Sequence, residues 1–230
     1  MSKRAVVSFC NNRGNYIKGM ERLSKSLDGN FDGDFVGFTY EESVGAPPHL
    51  ENPYAFKIYC IEKAVEMGYD KILWVDASVL AIRNVNITFG EIEKDGMIFQ
   101  EAGHMLGNWS SDKQLEYFGI KRDEAMSIRM IGNAGFLGFD FTNPIAIKFF
   151  QLWKQSMLDG CFKGAWNNNN KTESQDERCK GSRHDMSCSS AIVYKLGLDK
   201  LMKKGDEWLE YAPPESLPKN ETIIWKAQGL

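Results

Sequence analysis

A short apolar run that ends in a carboxylate constrains this chain more than any other stretch of its sequence. Ile72 to Val75 are all apolar, Gly68 supplies a turn signal before them, and Asp76 follows directly. A continuous apolar run of this length is typical of a strand that is buried on both faces of a sheet. An acidic side chain at the end of such a strand is costly unless its charge is used. Asp76 is therefore the first candidate for a functional residue.

The segments around this strand alternate between strand and helix patterns. Apolar periodicity predicts strands over 5–10, 35–39, 72–75, 97–99, 133–140 and 222–225, and helices over 16–27, 54–67, 112–125, 144–158 and 184–196. A helix between two buried strands implies a parallel pairing. The sequence therefore predicts an α/β fold with a mixed, mostly parallel sheet flanked by helices. We see no linker or internal repeat, which predicts one domain over residues 1–230.

The composition argues against several classes of function. The 230 residues are 43% hydrophobic and 26% charged, as in ordinary globular proteins, and the net charge of −3 gives no general attraction to nucleic acid or anionic membranes. No apolar run approaches the roughly 18–20 residues that span a bilayer, and the N-terminus has no signal-peptide pattern. The five cysteines show no C-x-x-C spacing, which predicts free thiols in a reducing compartment. We expect a cytoplasmic protein.

The segment from 160 to 183 is the most polar part of the chain. It contains the run Asn167 to Asn170, and the residues from there onward are almost all polar or charged, which predicts a loop or a mobile lid. Arg183-His184-Asp185 follows it and opens the last predicted helix. Binding residues are often carried on loops of this kind, so we expect His184 and Asp185 to act at a site. The alternative is that Asp185 only caps the helix and His184 is solvated.

Four segments, in this order, resemble the glycosyltransferases with the GT-A fold. In those families a first strand and turn bind the nucleotide. A helix carrying a lysine precedes a strand that ends in a D-x-D motif, which binds metal and nucleotide-sugar. A later N-S/A-G strand lines the donor-sugar pocket, and a D-Q type element places a carboxylate near the sugar. The matching segments here are Val7 to Asn12 with Tyr16, Lys57 with Gly68 to Ser78, Asn133 to Gly138, and Arg183 to Met186.

The resemblance implies a single-domain, GT-A-like (Rossmann-like) fold and an enzyme of glycan biosynthesis. It would transfer a hexosyl or pentosyl group from a nucleoside diphosphate-sugar, such as a UDP-sugar, to a hydroxyl of a glycan or glycoconjugate. Asp185 and His184 are the predicted catalytic residues. The predicted donor-binding residues are Phe9, Asn11, Arg13, Tyr16, Lys57, Asp76, Ala77, Ser78, Asn133, Ala134 and Lys226.

Three further residues are predicted on the acceptor side. Glu101, His104 and Trp109 follow a predicted strand, and an aromatic face such as that of Trp109 stacks on sugars. The alternative for a single histidine in a loop is an ordinary surface residue.

The sequence departs from the family pattern at the metal site. Ser78 stands where the second acid of the D-x-D motif is expected, and a neutral hydroxyl is a weaker ligand than a carboxylate. The C-terminal tail has no histidine, although Lys226 offers a point cation for the diphosphate. We expect a divalent cation, Mn²⁺ or Mg²⁺, at Asp76 and Ser78, and we expect it to be held weakly.

Two other functions fit the same sequence. A nucleotidyltransferase would use a similar sheet, but the turn from Asn11 to Asn15 has only one glycine and one basic residue, fewer than a phosphate loop requires. A catalytically inactive nucleotide-sugar or carbohydrate-binding domain is compatible with the missing second acid. At the residue level, Asp76 could instead cap the turn that follows its strand.

Overall fold

A computed structural model describes residues 3–11, 14–132, 135–213 and 215–227. Strands and helices alternate along most of this length, as the sequence predicts. The strands are β1 (Arg4–Cys10), β2 (Asp34–Thr39), β3 (Lys71–Trp74), β4 (Val79–Ala81), β5 (Met97–Met105), β6 (Arg129–Ile131), β7 (Leu137–Asp140), β8 (Met202–Lys203), β9 (Leu209–Tyr211) and β10 (Trp225–Ala227). The helices are α1 (Gly14–Leu27), α2 (Phe56–Glu66), α3 (Asn86–Asp95), α4 (Asp112–Tyr117), α5 (Arg122–Ala125), α6 (Pro144–Leu158) and α7 (Asp185–Lys195).

The central sheet has seven strands in the order β2-β1-β3-β7-β5-β6, with β8 paired to β5. Strand β1 pairs in parallel with both β2 and β3. Strand β7 runs antiparallel to both β3 and β5, so β5 and its parallel neighbour β8 point the same way as β3. Only β7 and β6 run in the opposite direction within this sheet. These pairings confirm the predicted mixed, mostly parallel α/β sheet.

Two apolar cores cover the two faces of the central sheet. Ala5 and Val7 of β1 pack in one core with Trp74 of β3, whereas Val6 and Leu73 point into the other. This alternation follows the two-residue period of a strand. Helices α2, α6 and α7 contribute to the first core, and α1 and α3 to the second. Burial on both faces explains why the central strands are continuous apolar runs.

Helix α6 begins at the Asn143-Pro144 pair, as predicted. Asn143 Oδ1 accepts a hydrogen bond from the main-chain nitrogen of Ile145 at 3.0 Å, and Pro144 occupies the first turn, where its missing N–H is tolerated. Trp153 of this helix is fully buried, and its Nε1 donates to the main-chain oxygen of Asp185 at 3.1 Å. Helix α6 therefore supports the first residue of α7.

Some predicted boundaries differ from the structure. The helix predicted over 112–125 is interrupted between α4 and α5, because Gly119 has a φ of 62°, outside the helical region. The strand predicted over 133–140 begins at Leu137. Strands β4 and β6 have no predicted counterpart, since three residues are too few to show a period. Helix α3 also has no predicted counterpart, because Gly90 within it weakens the helical pattern.

A smaller sheet of three strands, in the order β4-β10-β9, lies beside the central one. Only Asp76, Ala77 and Ser78 with one preceding residue separate β3 from β4, so the small sheet begins next to the strand end that carries Asp76. The segment 160–183 contains neither helix nor strand, as predicted. Within the described ranges, no helix is long and apolar enough to cross a membrane.

Candidate functional site

Chain segments that were predicted to act together meet at one edge of the central sheet. Asn11 follows the end of β1, and Asp76 lies two residues beyond the end of β3. Because β7 is antiparallel to β3, its first residue Leu137 pairs with Trp74, which brings the preceding segment with Gly135 to the same edge. Ligands of open α/β sheets bind at the carboxyl ends of such strands.

The first of two cavities at this edge has a volume of about 380 Å³. Phe9 and Phe56 stack on each other in its wall with ring centroids 4.3 Å apart, so it offers flat apolar surface. Six predicted donor-binding residues line it. The lining residues are Phe9, Cys10, Asn11, Tyr16, Glu41, His49, Tyr54, Phe56, Trp74, Asp76, Ala77, Ser78 and Tyr211.

The second cavity adjoins the first and has a volume of about 300 Å³. Tyr54, Asp76 and Tyr211 line both cavities, so a ligand in one can reach the other past Asp76. The residues that line only the second cavity are Lys57, Ala102, His104, Gly132, Gly135, Trp166, Arg183, Asp185 and Met186. This arrangement divides the site into two compartments that meet at Asp76, the first residue of the predicted D-x-S motif.

A buried lysine links the acidic groups of the site. Lys57 Nζ lies 2.9 Å from Asp185 Oδ2 and 3.5 Å from Asp76 Oδ1. Burial alone would lower the pKa of Lys57, but the attraction of Asp185 and Asp76 outweighs it and raises the pKa above its ordinary value. Lys57 therefore stays charged and connects α2, α7 and the end of β3.

Asp185 is the first residue of α7 and is almost fully buried. Its Oδ2 is engaged by Lys57, whereas its Oδ1 accepts no hydrogen bond from any residue that the structure describes. Asp185 also lines the second cavity, so its carboxylate is a candidate contact for a ligand there.

His184 packs behind the cavity wall. Its Nδ1 lies 2.9 Å from the main-chain oxygen of Phe162, and its ring contacts those of Tyr54 and Trp166 at centroid distances of 5.4 and 5.8 Å. It is not among the described residues that line either cavity. His184 has a φ of 49° and Tyr54 a φ of 60°, so two residues of the site hold sparsely populated backbone conformations. The catalytic role of His184 stays a prediction. Its contacts favour a role in which it holds Tyr54 and Asp185 in position.

The Asp76 side chain lies so close to Gly135 that no larger residue fits at this position. A Cβ atom on Gly135 would lie 2.3 Å from Asp76 Oδ1 and 2.8 Å from Trp74 Nε1, which itself donates to Asp76 Oδ1 at 3.2 Å. Gly135 also has a φ of 71°, which favours glycine. The predicted residues Asn133 and Ala134 precede it and lie outside the described residues, as does Arg13.

We expect Gly135→Ala to displace Asp76 and to reduce the rate of any reaction at this site by at least tenfold. A misplacement of about 1 Å at a reacting group can cost roughly 100-fold. Gly197→Ala is the matched control, because Gly197 has a similar φ of 65° but open space around its Cβ position. Both variants carry the backbone strain, and only the first touches Asp76. Equal activity losses in steady-state assays of the two variants would contradict this explanation.

The predicted acceptor-side residues occupy different positions. His104 lines the second cavity, and its ring lies 5.6 Å from that of Trp109. Trp109 stacks on Arg183 rather than on open space, with the guanidinium carbon 3.4 Å from its ring centroid. Glu101 is buried and pairs with Arg129, and it does not line either cavity among the described residues. The structure therefore brings His104 to the site but not Glu101.

Lys226 also lies away from the two cavities. Its Nζ donates to the main-chain oxygen atoms of Pro213, at 3.2 Å, and Ser216, and lies 3.7 Å from Glu210 Oε1. Both Lys226 and Glu210 are almost completely buried. The structure thus gives Lys226 a place in holding Pro213 and Ser216, and does not bring it to the predicted diphosphate position.

Several cavity residues were missed by sequence reasoning. Tyr54, Trp166 and Tyr211 have no local signal, because their approach depends on how distant segments pack. Arg183 belongs to the segment Arg183 to Met186 that resembles the family, but the resemblance predicts no role for it. The position of Tyr54 directly after a proline-rich loop is weak evidence and does not by itself predict a binding residue.

The oxygen ligands at Asp76 fit a shared divalent cation better than a resident one. In the described part of the chain, no group of three or more His, Cys, Asp or Glu side chains is placed to hold a metal. Mg²⁺ is commonly bound by one or two carboxylates together with substrate phosphates. The Asp76 side chain is 40% exposed, and Ser78 lines the same cavity. No Lys or Arg is among the described residues that line the first cavity, but Lys57 Nζ lies 3.5 Å from Asp76 Oδ1 and Arg22 Nη2 donates to the main-chain oxygen of Ser78 at 2.9 Å. The cation at Asp76 and Ser78 stays a prediction.

The three histidines predict a loss of stability in mild acid. Burial, as the largest cause, lowers the pKa of His49, His104 and His184 below the ordinary value. The unfolded chain therefore binds more protons than the folded one once the pH falls below about 6.5. His49 Nδ1 accepts a hydrogen bond from the main-chain nitrogen of Tyr54 at 3.2 Å, and protonation there would break it.

We expect the free energy of unfolding, measured by denaturant titration, to fall steadily from pH 7 to pH 5.5. Each histidine contributes at most about 1.4 kcal/mol per pH unit. His184→Asn should reduce the slope of this dependence. A free energy of unfolding that is constant or rises over this interval would show that the three side chains are not held neutral.

The fold is shared with glycosyltransferases of known structure. Over 98% of its length the chain is similar to the bifunctional glycosyltransferase WbbM, with a TM-score of 0.51 and 10% identity, and it spans 45% of that protein. It is also similar to a glycosyltransferase involved in the glycosylation of the major capsid of PBCV-1, with a TM-score of 0.51 and 12% identity over 98% of this chain and 92% of that one. No family model and no curated protein matches the sequence. Similarity at these identities shows a common fold.

Proposed function

We propose that the protein is a glycosyltransferase of the GT-A type, which transfers a sugar from a nucleoside diphosphate-sugar to an acceptor hydroxyl. The observation that carries the proposal is the position of Asp76. It lies at the junction of two adjoining cavities and is tied through Lys57 to the buried Asp185. The fold shared with two glycosyltransferases supports the same reaction class.

The first cavity suits the nucleoside of the donor. Its stacked Phe9 and Phe56 and the ring of Tyr16 offer apolar surface for a base, and Asn11 offers an amide for hydrogen bonds. In this proposal the diphosphate lies beside Asp76 and Ser78, and the sugar extends past Tyr54 into the second cavity. Asn133 and Ala134 are still predicted to line the sugar, between Gly132 and Gly135 of that cavity.

The reaction needs positioning more than covalent chemistry. The acceptor oxygen forms a bond to the anomeric carbon, the bond from that carbon to the diphosphate oxygen breaks, and the acceptor proton passes to a base. In this proposal Asp185 Oδ1 accepts a hydrogen bond from the sugar or from the acceptor hydroxyl. Lys57 holds Asp185 and Asp76 in position, which preorganises the site before substrate binds.

A divalent cation, when bound, would be held by Asp76, Ser78 and the donor diphosphate, and would stabilise the charge of the departing nucleoside diphosphate. The described residues alone supply few ligands, so we expect its affinity to depend strongly on the donor.

A panel of donors tests the proposal. UDP-, GDP- and other nucleoside diphosphate-sugars are incubated with the protein, with and without Mn²⁺, and release of nucleoside diphosphate is measured. We expect slow hydrolysis of one donor class without acceptor, faster turnover with a suitable sugar acceptor, and stimulation by Mn²⁺. Release of pyrophosphate from a nucleoside triphosphate and sugar phosphate would instead indicate a nucleotidyltransferase. Binding without turnover of any donor would indicate an inactive binding domain.

A further inference from the structure

A cationic side chain in the second cavity is held between two indole rings. The guanidinium carbon of Arg183 lies 3.4 Å from the ring centroid of Trp109 and 3.8 Å from that of Trp166. Its Nη1 donates to the main-chain oxygen of Trp166 at 2.9 Å, and its main-chain nitrogen donates to that of Trp109 at 3.1 Å. Among the described residues, its side chain donates only to main-chain oxygen atoms and has no carboxylate partner. The guanidinium is therefore held in place, and no carboxylate of the described residues pairs with it.

The two rings leave only the edge of the guanidinium open. Nε and Nη2 donate no hydrogen bond to any residue that the structure describes, and these two nitrogens form the side of arginine that binds two oxygen atoms at once. Because the stacking already fixes the plane of the group, little conformational freedom is lost when an anion binds.

Arg183 lies on the part of the second cavity that the first cavity does not share. Tyr54, Asp76 and Tyr211 mark the junction, whereas Arg183 and Trp166 line the second cavity alone. The charge of Arg183 acts on this compartment, since burial and the nearby Arg183 and Lys180 together lower the pKa of His104. A donor with its nucleoside in the first cavity, its diphosphate at Asp76 and its sugar beside Gly132 and Gly135 would leave the side of the second cavity at Arg183 and Trp166 to the acceptor.

We propose that the acceptor carries an anionic group, a carboxylate or a phosphate, which Arg183 binds through Nε and Nη2. This inference rests on the proposed function, because it assigns to an acceptor the part of the second cavity beside Arg183, beyond the donor sugar. Arg183 then determines specificity. A neutral acceptor would leave the guanidinium edge without a partner in a partly buried site, and sites built for a polar partner discriminate strongly against ligands that lack it.

Matched sugar probes test this proposal. Methyl glucuronide and glucose 6-phosphate carry the two kinds of anion, and methyl glucoside is the neutral control. Their dissociation constants are measured by tryptophan fluorescence, since Trp109 and Trp166 flank Arg183, in the presence of the nucleoside diphosphate that binds best. We expect one anionic probe to bind at least tenfold more tightly than the neutral one. We expect Arg183→Gln to reduce this preference to less than threefold.

Two variants separate a specific contact from a general electrostatic effect. Lys180→Gln removes an exposed positive charge near His104 and should keep the preference for the anion. Arg183→Lys keeps the charge but loses the paired donors, so it should recover only part of the preference. An equal loss in Lys180→Gln and Arg183→Gln would overturn the proposal, as would equal binding of the anionic and neutral probes to the unmodified protein.

Binding of the nucleoside diphosphate serves as the second readout. Arg183→Gln should bind it as the unmodified protein does, which also shows that the variant is folded. If the variant loses nucleoside diphosphate affinity by the same factor as anionic-sugar affinity, Arg183 serves the donor and the acceptor proposal is wrong. If the unmodified protein binds no nucleoside diphosphate, the proposed function fails, whereas the comparison of sugar probes without nucleotide still reports on Arg183.

Discussion

Replacement of Lys57 by methionine is expected to lower the free energy of unfolding by about 3–5 kcal/mol, the cost of breaking a buried ion pair by removing one partner. The side chains of Lys57 and Asp185 are each only 4% exposed, and their charged atoms are 2.9 Å apart. Methionine preserves most of the volume of the lysine side chain, so the loss in the free energy of unfolding measures the effect of removing the charge. Asp185 would be left buried without its cation, and Asp76 would lose its neighbour at 3.5 Å.

Chemical denaturation of the variant and of Lys63→Met provides the measurement and its control. Lys63 lies on the same helix and is 48% exposed in a surface pair with Glu66, so its removal should change the free energy by less than about 1 kcal/mol. Asp185→Asn in the Lys57→Met background should recover part of the loss, because the unpaired charge is then absent. A Lys57→Met protein as stable as Lys63→Met would show that the buried pair does not form as described.

Asp76→Asn is expected to reduce kcat/KM for the proposed glycosyl transfer by about 100- to 1,000-fold, the range found when one preorganised electrostatic group is removed from a site. Asparagine keeps the shape and the hydrogen bond from Trp74 Nε1. It removes the negative charge that is predicted to hold the cation and that lies beside Lys57. The Asp76 side chain is 40% exposed, so we expect only a small change in stability.

Asp28→Asn is the matched control for this variant. Asp28 is exposed, and it lies just after α1, away from both cavities. Its replacement should leave kcat/KM unchanged within about twofold. Donor turnover and thermal unfolding are measured on the same preparations, so that an inactive but folded Asp76→Asn protein is distinguished from an unfolded one. Full activity in Asp76→Asn would remove Asp76 from the mechanism.

The sequence predicted the parts of the fold that depend on local pattern. Strand β3 could be predicted because four consecutive apolar residues precede Asp76. Helix α6 could be predicted because asparagine caps a helix and proline suits its first turn, as at Asn143-Pro144. The break at Gly119 was missed, since the residues on either side suit a helix and only the φ of that glycine reveals the turn.

The site was predicted only where a motif placed its residues. Asp76 came from the apolar run before it, Asp185 from its place after the polar 160–183 segment, and Lys57 from the resemblance. The structure brings these three together from the end of β3, the start of α7 and α2. Lys226 was expected at the diphosphate because it is a cation near the C-terminus, but sequence could not show that it would be buried beside Glu210 and donate to the main-chain oxygen of Pro213. The stacking of Arg183 depends on two segments far from each other in the chain, so no local pattern could reveal it.

A crystal structure of the protein soaked with a nucleoside diphosphate tests the central claim most directly. We predict that the nucleoside lies against Phe9 and Phe56 in the first cavity, with its diphosphate beside Asp76 and Ser78. Added Mn²⁺ should give density between Asp76 and the diphosphate. A nucleotide bound elsewhere on the protein, or a first cavity that stays empty at a concentration that saturates binding in solution, would contradict the assignment of this site to a sugar donor.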